Sequence, residues 1–213
     1  ELTFTNEKPY VIYGYAAVPG NRTLDIEAGA RIHFHEASGI IVAENGSLHV
    51  NGELSSDQEL LENEVIFESD RLEPGFSEVP GQWGALWLTA GSTNNIIDYA
   101  TIKNATVGVL MDSNDGSNQP TLTINNSKIY NSSNIGLLAR TGYVEANNLV
   151  INKAGQSSLN ISLGGRYNFT NCTFANYWTQ SYRPYPAVLV ENLLETPDQI
   201  IVENLIEANF NNC

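Results

Sequence analysis

Four aromatic side chains and one arginine crowd into a single short stretch, at Tyr177, Trp178, Tyr182, Arg183 and Tyr185, and Pro184 and Pro186 stiffen it. Exposed aromatic faces stack on sugar rings or on protein partners, and a stiff segment loses little entropy when it binds. The bland alternative is that the rings fold back over the wall beneath as a small satellite core. Trp83 and Trp87 are four apart, so on one strand they share a face. With Leu86 and Leu88 inward, both indoles point outward as a sugar platform, unless a loop at 55–80 packs over them through Leu60, Leu61 and Phe76.

Metal chemistry has weaker support. His33 and His35 flank Phe34 on what should be one outer face, with His49 on a neighbouring turn of chain. Strand neighbours two apart are about 7 Å apart, and zinc wants three or four ligands in tetrahedral reach, so solvated surface histidines are expected. Asp112-Ser113-Asn114-Asp115-Gly116 has the composition of a calcium loop, but its Gly comes one position early and no Glu closes the ring. A polar turn explains it, and no cofactor or metal residue is assigned.

What must position these residues is a repeat. Ile96 to Asn104 recurs as Leu122 to Asn131, Val144 to Asn152 and Tyr167 to Asn176, with closing asparagines 27, 21 and 24 residues apart. Each copy is trailed by a third apolar run, at 107–110, 135–138, 158–161 and 187–190. Thr23 to Gly29 is echoed by Ser47 to Gly52. Apolar residues alternate within each run, one row inward and the next wet. Three short strands per coil of about 21–24 residues predict an all-β fold, a right-handed single-stranded parallel β-helix or solenoid with loop insertions.

In this register 1–18 is a first coil or N-terminal cap, and 55–80 and 177–186 are insertions in one domain spanning 1–213. Asn126, Asn147 and Asn171 occupy equivalent corners, where Asn tolerates left-handed backbone and its amide can bond to the next coil. Cys172 and Cys213 fall at the place of Ala100, Ser127 and Asn148, and are expected free and facing an interior corner. One coil of separation would bring them within disulfide range; two would forbid the bond. The repeat breaks off at Cys213 and the chain starts at Glu1, so a longer native protein is expected, with a removed leader or lipid anchor upstream.

With 24 acidic against 10 basic residues, the formal net charge is −14, which repels nucleic acid and anionic membranes. Polyuronates are disfavoured too, unless calcium bridges the like charges. Neutral glycans and surface proteins remain open as partners. No window approaches the roughly 18 apolar residues of a membrane span. Abundant Asn, Gly, Thr and Tyr with few Lys fit a secreted or bacterial outer-surface protein.

At Gly81-Gln82-Trp83-Gly84-Ala85-Leu86-Trp87-Leu88, Tyr99-Ala100-Thr101-Ile102-Lys103-Asn104-Ala105 and Tyr167-Asn168-Phe169-Thr170-Asn171-Cys172-Thr173-Phe174, the chain resembles right-handed β-helix repeat proteins of the pectate-lyase-like superfamily. It is most similar to secreted and lipoprotein members from Gram-negative bacteria. The resemblance implies the fold but not one activity, because that superfamily hosts lyases, hydrolases, adhesins and passive surface proteins. The chain has no Asp-Asp, Gly-His-Gly or Arg-x-Lys of a polygalacturonase-like site. Arg140, Arg166 and Arg183 are the candidates for a lyase base, and none has an obvious acidic cluster on its coil. Three classes follow: a non-catalytic surface protein that binds glycan or protein through its insertions, a polysaccharide lyase or hydrolase, and a passive spacer. The first is favoured, with no catalytic residue assigned.

Overall fold

The computed structural model describes residues 2–213. It is all-β apart from one short 3-10 turn, Pro74–Phe76, and its strands pair in parallel except in one two-stranded hairpin, Leu193–Glu195 with Ile200–Val202. The parallel strands form a 13-stranded and a seven-stranded sheet. The larger sheet consists of two ladders joined through two long bent strands, Ile135–Asn147 and Leu159–Thr170. The chain therefore visits three ladders in turn, and each strand pairs with its counterpart one coil later. This pattern is compatible with a parallel β-helix or solenoid.

In the first ladder, inward residues follow the register Phe4, Ile26, Val50, Ile97, Ile124, Ala146, Phe169 and Phe210. The second ladder stacks Ile32, Phe67, Ile102, Ile129 and Ile151, all fully buried. Burying an Ile or Phe side chain contributes about 1.5–3 kcal/mol, and repetition of these rows makes the core. The third ladder is built from the trailing runs expected from the repeat: Val107 pairs with Ile135, Leu137 with Leu159, and Leu159 with Val188.

Three expectations need correction. The 55–80 stretch is not one loop, because Val65–Ser69 is a central strand of the second ladder, paired with Arg31–Phe34 and Ala100–Lys103. Its three apolar residues are hidden between acidic loops, so composition masks a strand whose Val65 and Phe67 are fully buried. Of the two readings of 1–18, the described residues 2–18 follow the first-coil one, since Leu2–Phe4, Tyr10–Ile12 and Tyr15–Val18 each pair with the next coil.

The other two corrections concern corners. The left-handed corner of the third copy falls on Asn148 (φ 55°), not Asn147, in line with Asn126 (φ 49°) and Asn171 (φ 54°). Asn148 Nδ2 donates to Asn126 Oδ1 at 3.0 Å. Hydrogen bonding from Asn148 N–H to Thr170 O places Asn148 outside the strand, so the interior slot before Val150 belongs to buried Leu149. Cys172, which precedes Thr173, the partner of Val150, is thus the counterpart of Leu149 and not of Asn148. Cys172 is buried but Cys213 is exposed, and both are free.

Candidate functional site

Two loops leave the same corner of the fold, between the second and third ladders. One follows Val65–Ser69 and the other follows Thr173–Phe174, four coils along the same stack. The corners between them are short and turn on left-handed residues, Asn104 (φ 64°), Asn131 (φ 61°) and Lys153 (φ 52°). Two long loops separated by short corners leave a gap with those corners as its floor.

The first loop is held by its own chemistry. Arg71 lies 3.7 Å over the Phe76 ring and pairs with Glu73 at 3.1 Å. Gln82 Nε2 donates to Phe76 O and Val79 O, and Asn104 Nδ2 donates to Ser77 O at 3.0 Å. In the second loop, Asn176 Nδ2 donates to Ala154 O at 2.9 Å, and Tyr177 N–H donates to Asn152 Oδ1 at 3.1 Å. Trp178 Nε1 donates to Ser181 Oγ at 2.9 Å, and Arg183 donates to Gln156 O and Tyr185 O.

The loops meet. Lys153 Nζ lies 3.1 Å from Glu78 Oε2, and Gln180 Nε2 donates to Glu78 O at 3.5 Å. Between them lies a cleft of about 180 Å³, lined by Glu78, Asn131, Lys153, Tyr177, Trp178 and Gln180 among others. Tyr177 and Tyr182 are 72% and 89% exposed, so their ring faces are free to stack. Tyr185 is exposed as well, while Trp178 and Arg183 are half-buried.

A charged row runs beside the cleft on the outer face of the second ladder. Lys103 Nζ donates to Glu68 Oε2 at 2.6 Å, and His33 Nδ1 lies 3.8 Å from Glu68 Oε1. Buried Glu64 accepts from Thr101 Oγ1 at 3.1 Å and pairs with Lys128 at 3.3 Å. Burial pulls the Lys103 pKa down, but the Glu68 hydrogen bond and neighbouring negative charge outweigh it and hold the ammonium above its ordinary value. Burial raises the Tyr130 phenol in the same row. Partners such as Glu78 and Lys153, or Glu64 and Lys128, are more than 60 residues apart in sequence, so only the coil register reveals them.

The tryptophan platform does not form. Trp83 is buried and stacked on Phe34, ring centroids 4.2 Å apart, with Nε1 donating to Lys103 O. The strand covers only Leu86–Leu88, so alternation does not extend back to Trp83, which makes an isolated parallel bridge with Ala105. Nor do Leu60 and Phe76 cover the pair, since Leu60 is 71% exposed and Phe76 lies under Arg71. Trp87 does face outward, but on the third ladder, where Nε1 donates to Asp112 Oδ2 at 2.8 Å.

The remaining candidates are dispersed. Arg140 pairs with Asp112 at 2.6 Å, Arg166 with Glu207 at 3.2 Å, and Arg183 with loop carbonyls. His33 lies on the second ladder, His35 beside Asp70 at its corner, and His49 on the first ladder next to Asp25. His33 is buried, contrary to the solvated surface position expected for it. The Asp112 turn closes on itself, with Asn114 and Asp115 accepting from Gly116 and Ser117 N–H. Among the described residues, no group of three or more His, Cys, Asp or Glu could hold a metal ion. Compared with protein-family models, curated proteins and solved structures, the chain matches none.

Proposed function

We propose that the chain is a right-handed parallel β-helix of the pectate-lyase-like kind, secreted or displayed at a cell surface, that binds glycan through the cleft between its two corner loops. Crossovers between parallel strands are right-handed in nearly all proteins, which supports the handedness. The carrying observation is the junction of Glu78, Lys153 and the Tyr177/Trp178 loop around one cleft. Flat ring faces beside a charged hydrogen-bonding pair suit a sugar, whose C–H face stacks while its hydroxyls take the polar groups. A glycan array with the intact protein and with Tyr177→Ala tests this. Discrete hits that the variant loses support the reading; silence, or hits that the variant keeps, overturns it.

One observation favours a catalytic second reading: Glu68, Lys103 and Tyr130 share a face beside the same cleft. With Lys103 held as an ammonium, the carboxylate can serve as base and the tyrosine as acid in glycan cleavage, while the ammonium steadies developing negative charge. Cleavage products formed by the wild type and lost in Lys103→Ala would favour that reading over simple binding.

A further inference from the structure

Cys172 and Cys213 stand one above the other in adjacent coils. Thr170 pairs with Asn211, and both chains then pass through a left-handed asparagine, Asn171 at φ 54° and Asn212 at φ 55°. Asn212 Nδ2 donates to Asn171 Oδ1 at 2.6 Å, so the two corners follow one path and present their next side chains in the same direction. The thiols repeat each other's contacts. Cys172 donates to Thr170 O at 3.3 Å and Ala146 O at 3.8 Å; Cys213 donates to the equivalent Asn211 O at 3.4 Å and Phe169 O at 3.5 Å. Cys172 N–H in turn donates to Cys213 Sγ at 3.4 Å.

Stacked parallel strands are about 4.8 Å apart, inside the roughly 4.4–6.8 Å Cα span of disulfides. Both cysteines are free, one buried and one exposed. We propose that this pair is an oxidisable clasp that closes covalently around the coil carrying the aromatic loop. Residues 177–186 lie within the span the bond would close, so oxidation would tie down both ends of the coil that bears the cleft.

The burial of Cys172 sets the order of events. The Cys213 thiolate attacks a sulfur of a small disulfide such as oxidised glutathione, forming a mixed disulfide and releasing one glutathione thiolate. Cys172 loses its proton and attacks Cys213 Sγ, expelling the second glutathione. Two protein thiols are oxidised, one glutathione disulfide is reduced to two thiols, and two protons are released to solvent or to the departing thiolates. Burial raises the Cys172 thiol pKa, so the second step is the slower one and quickens with rising pH.

The test is incubation of the native protein with oxidised glutathione, followed by intact mass, alkylation and thermal melting. The wild type should lose the mass of two hydrogens, resist alkylation until reduced, and melt about 5 °C or more higher. Cys172→Ser should stop at the mixed disulfide, and Cys213→Ser should remain unoxidised with an unshifted melt. Two alkylatable thiols in the treated wild type, a persistent mixed disulfide, or a disulfide-linked dimer would each overturn the clasp.

Discussion

Two single residues carry measurable consequences. Tyr167 is fully buried, with its hydroxyl donating to Gly164 O at 2.8 Å and accepting from Gly142 N–H at 3.1 Å. Burial outweighs the opposing Gly142 N–H and pushes the phenol from an ordinary 10.0 up to about 12. Folding thus favours the neutral form: the contribution is complete below about pH 10 and lost as pH rises towards 12, amounting to about 2–3 kcal/mol. Denaturant unfolding of Tyr167→Phe should show a loss of about 1–2 kcal/mol near neutrality and a flatter decline above pH 10. An unchanged alkaline slope would assign that titration to another group. Lys153 adopts a left-handed conformation that Asn104 and Asn131 occupy in preceding coils, and Asn tolerates it better. Lys153→Asn should keep or slightly raise the melting temperature while weakening ligand binding about tenfold through loss of a charged hydrogen-bonding group. Loss of stability without loss of affinity would make Lys153 a structural corner alone.

At the level of the element, the Val65–Ser69 strand is the sharpest test of the fold. Phe67→Ala should cost about 3–5 kcal/mol because it opens a cavity between Ile32 and Ile102. Leu60→Ala, in the exposed loop before it, should stay within about 0.5 kcal/mol. Equal, small effects would mean that the stretch is loop throughout. This strand also marks the limit of sequence reading. Where copies follow one another closely, as in Leu122, Val144 and Tyr167, the register is legible from alternation and spacing alone. Between Val50 and its partner Ile97 the step spans 47 residues, and acidic loops on both sides conceal the apolar core of the buried strand. Trp83 departs from the expected face for a related reason, since the strand that alternates begins only at Leu86. The aromatic stretch was visible from its composition, whereas its partners Glu78 and Lys153 were not, because coil stacking joins residues far apart in the chain.

Across the whole molecule, the −14 net charge selects among ligands before any contact forms. Affinity for a neutral oligosaccharide should change less than about twofold between low and near-molar salt, whereas an anionic polyuronate should bind better as salt screens the repulsion. A steep loss of neutral-glycan binding in salt would point to charge pairing as the main source of affinity. The central claim is that two loops, far apart in sequence, form one binding surface because the coil stack places them at the same corner. The most direct measurement is an NMR titration with the best-scoring neutral oligosaccharide, following the Trp178 indole N–H and the backbone amides of 76–79 and 152–154. All three sets should shift together along one binding curve. Shifts confined to one loop, or centred on a different ladder, would contradict the account.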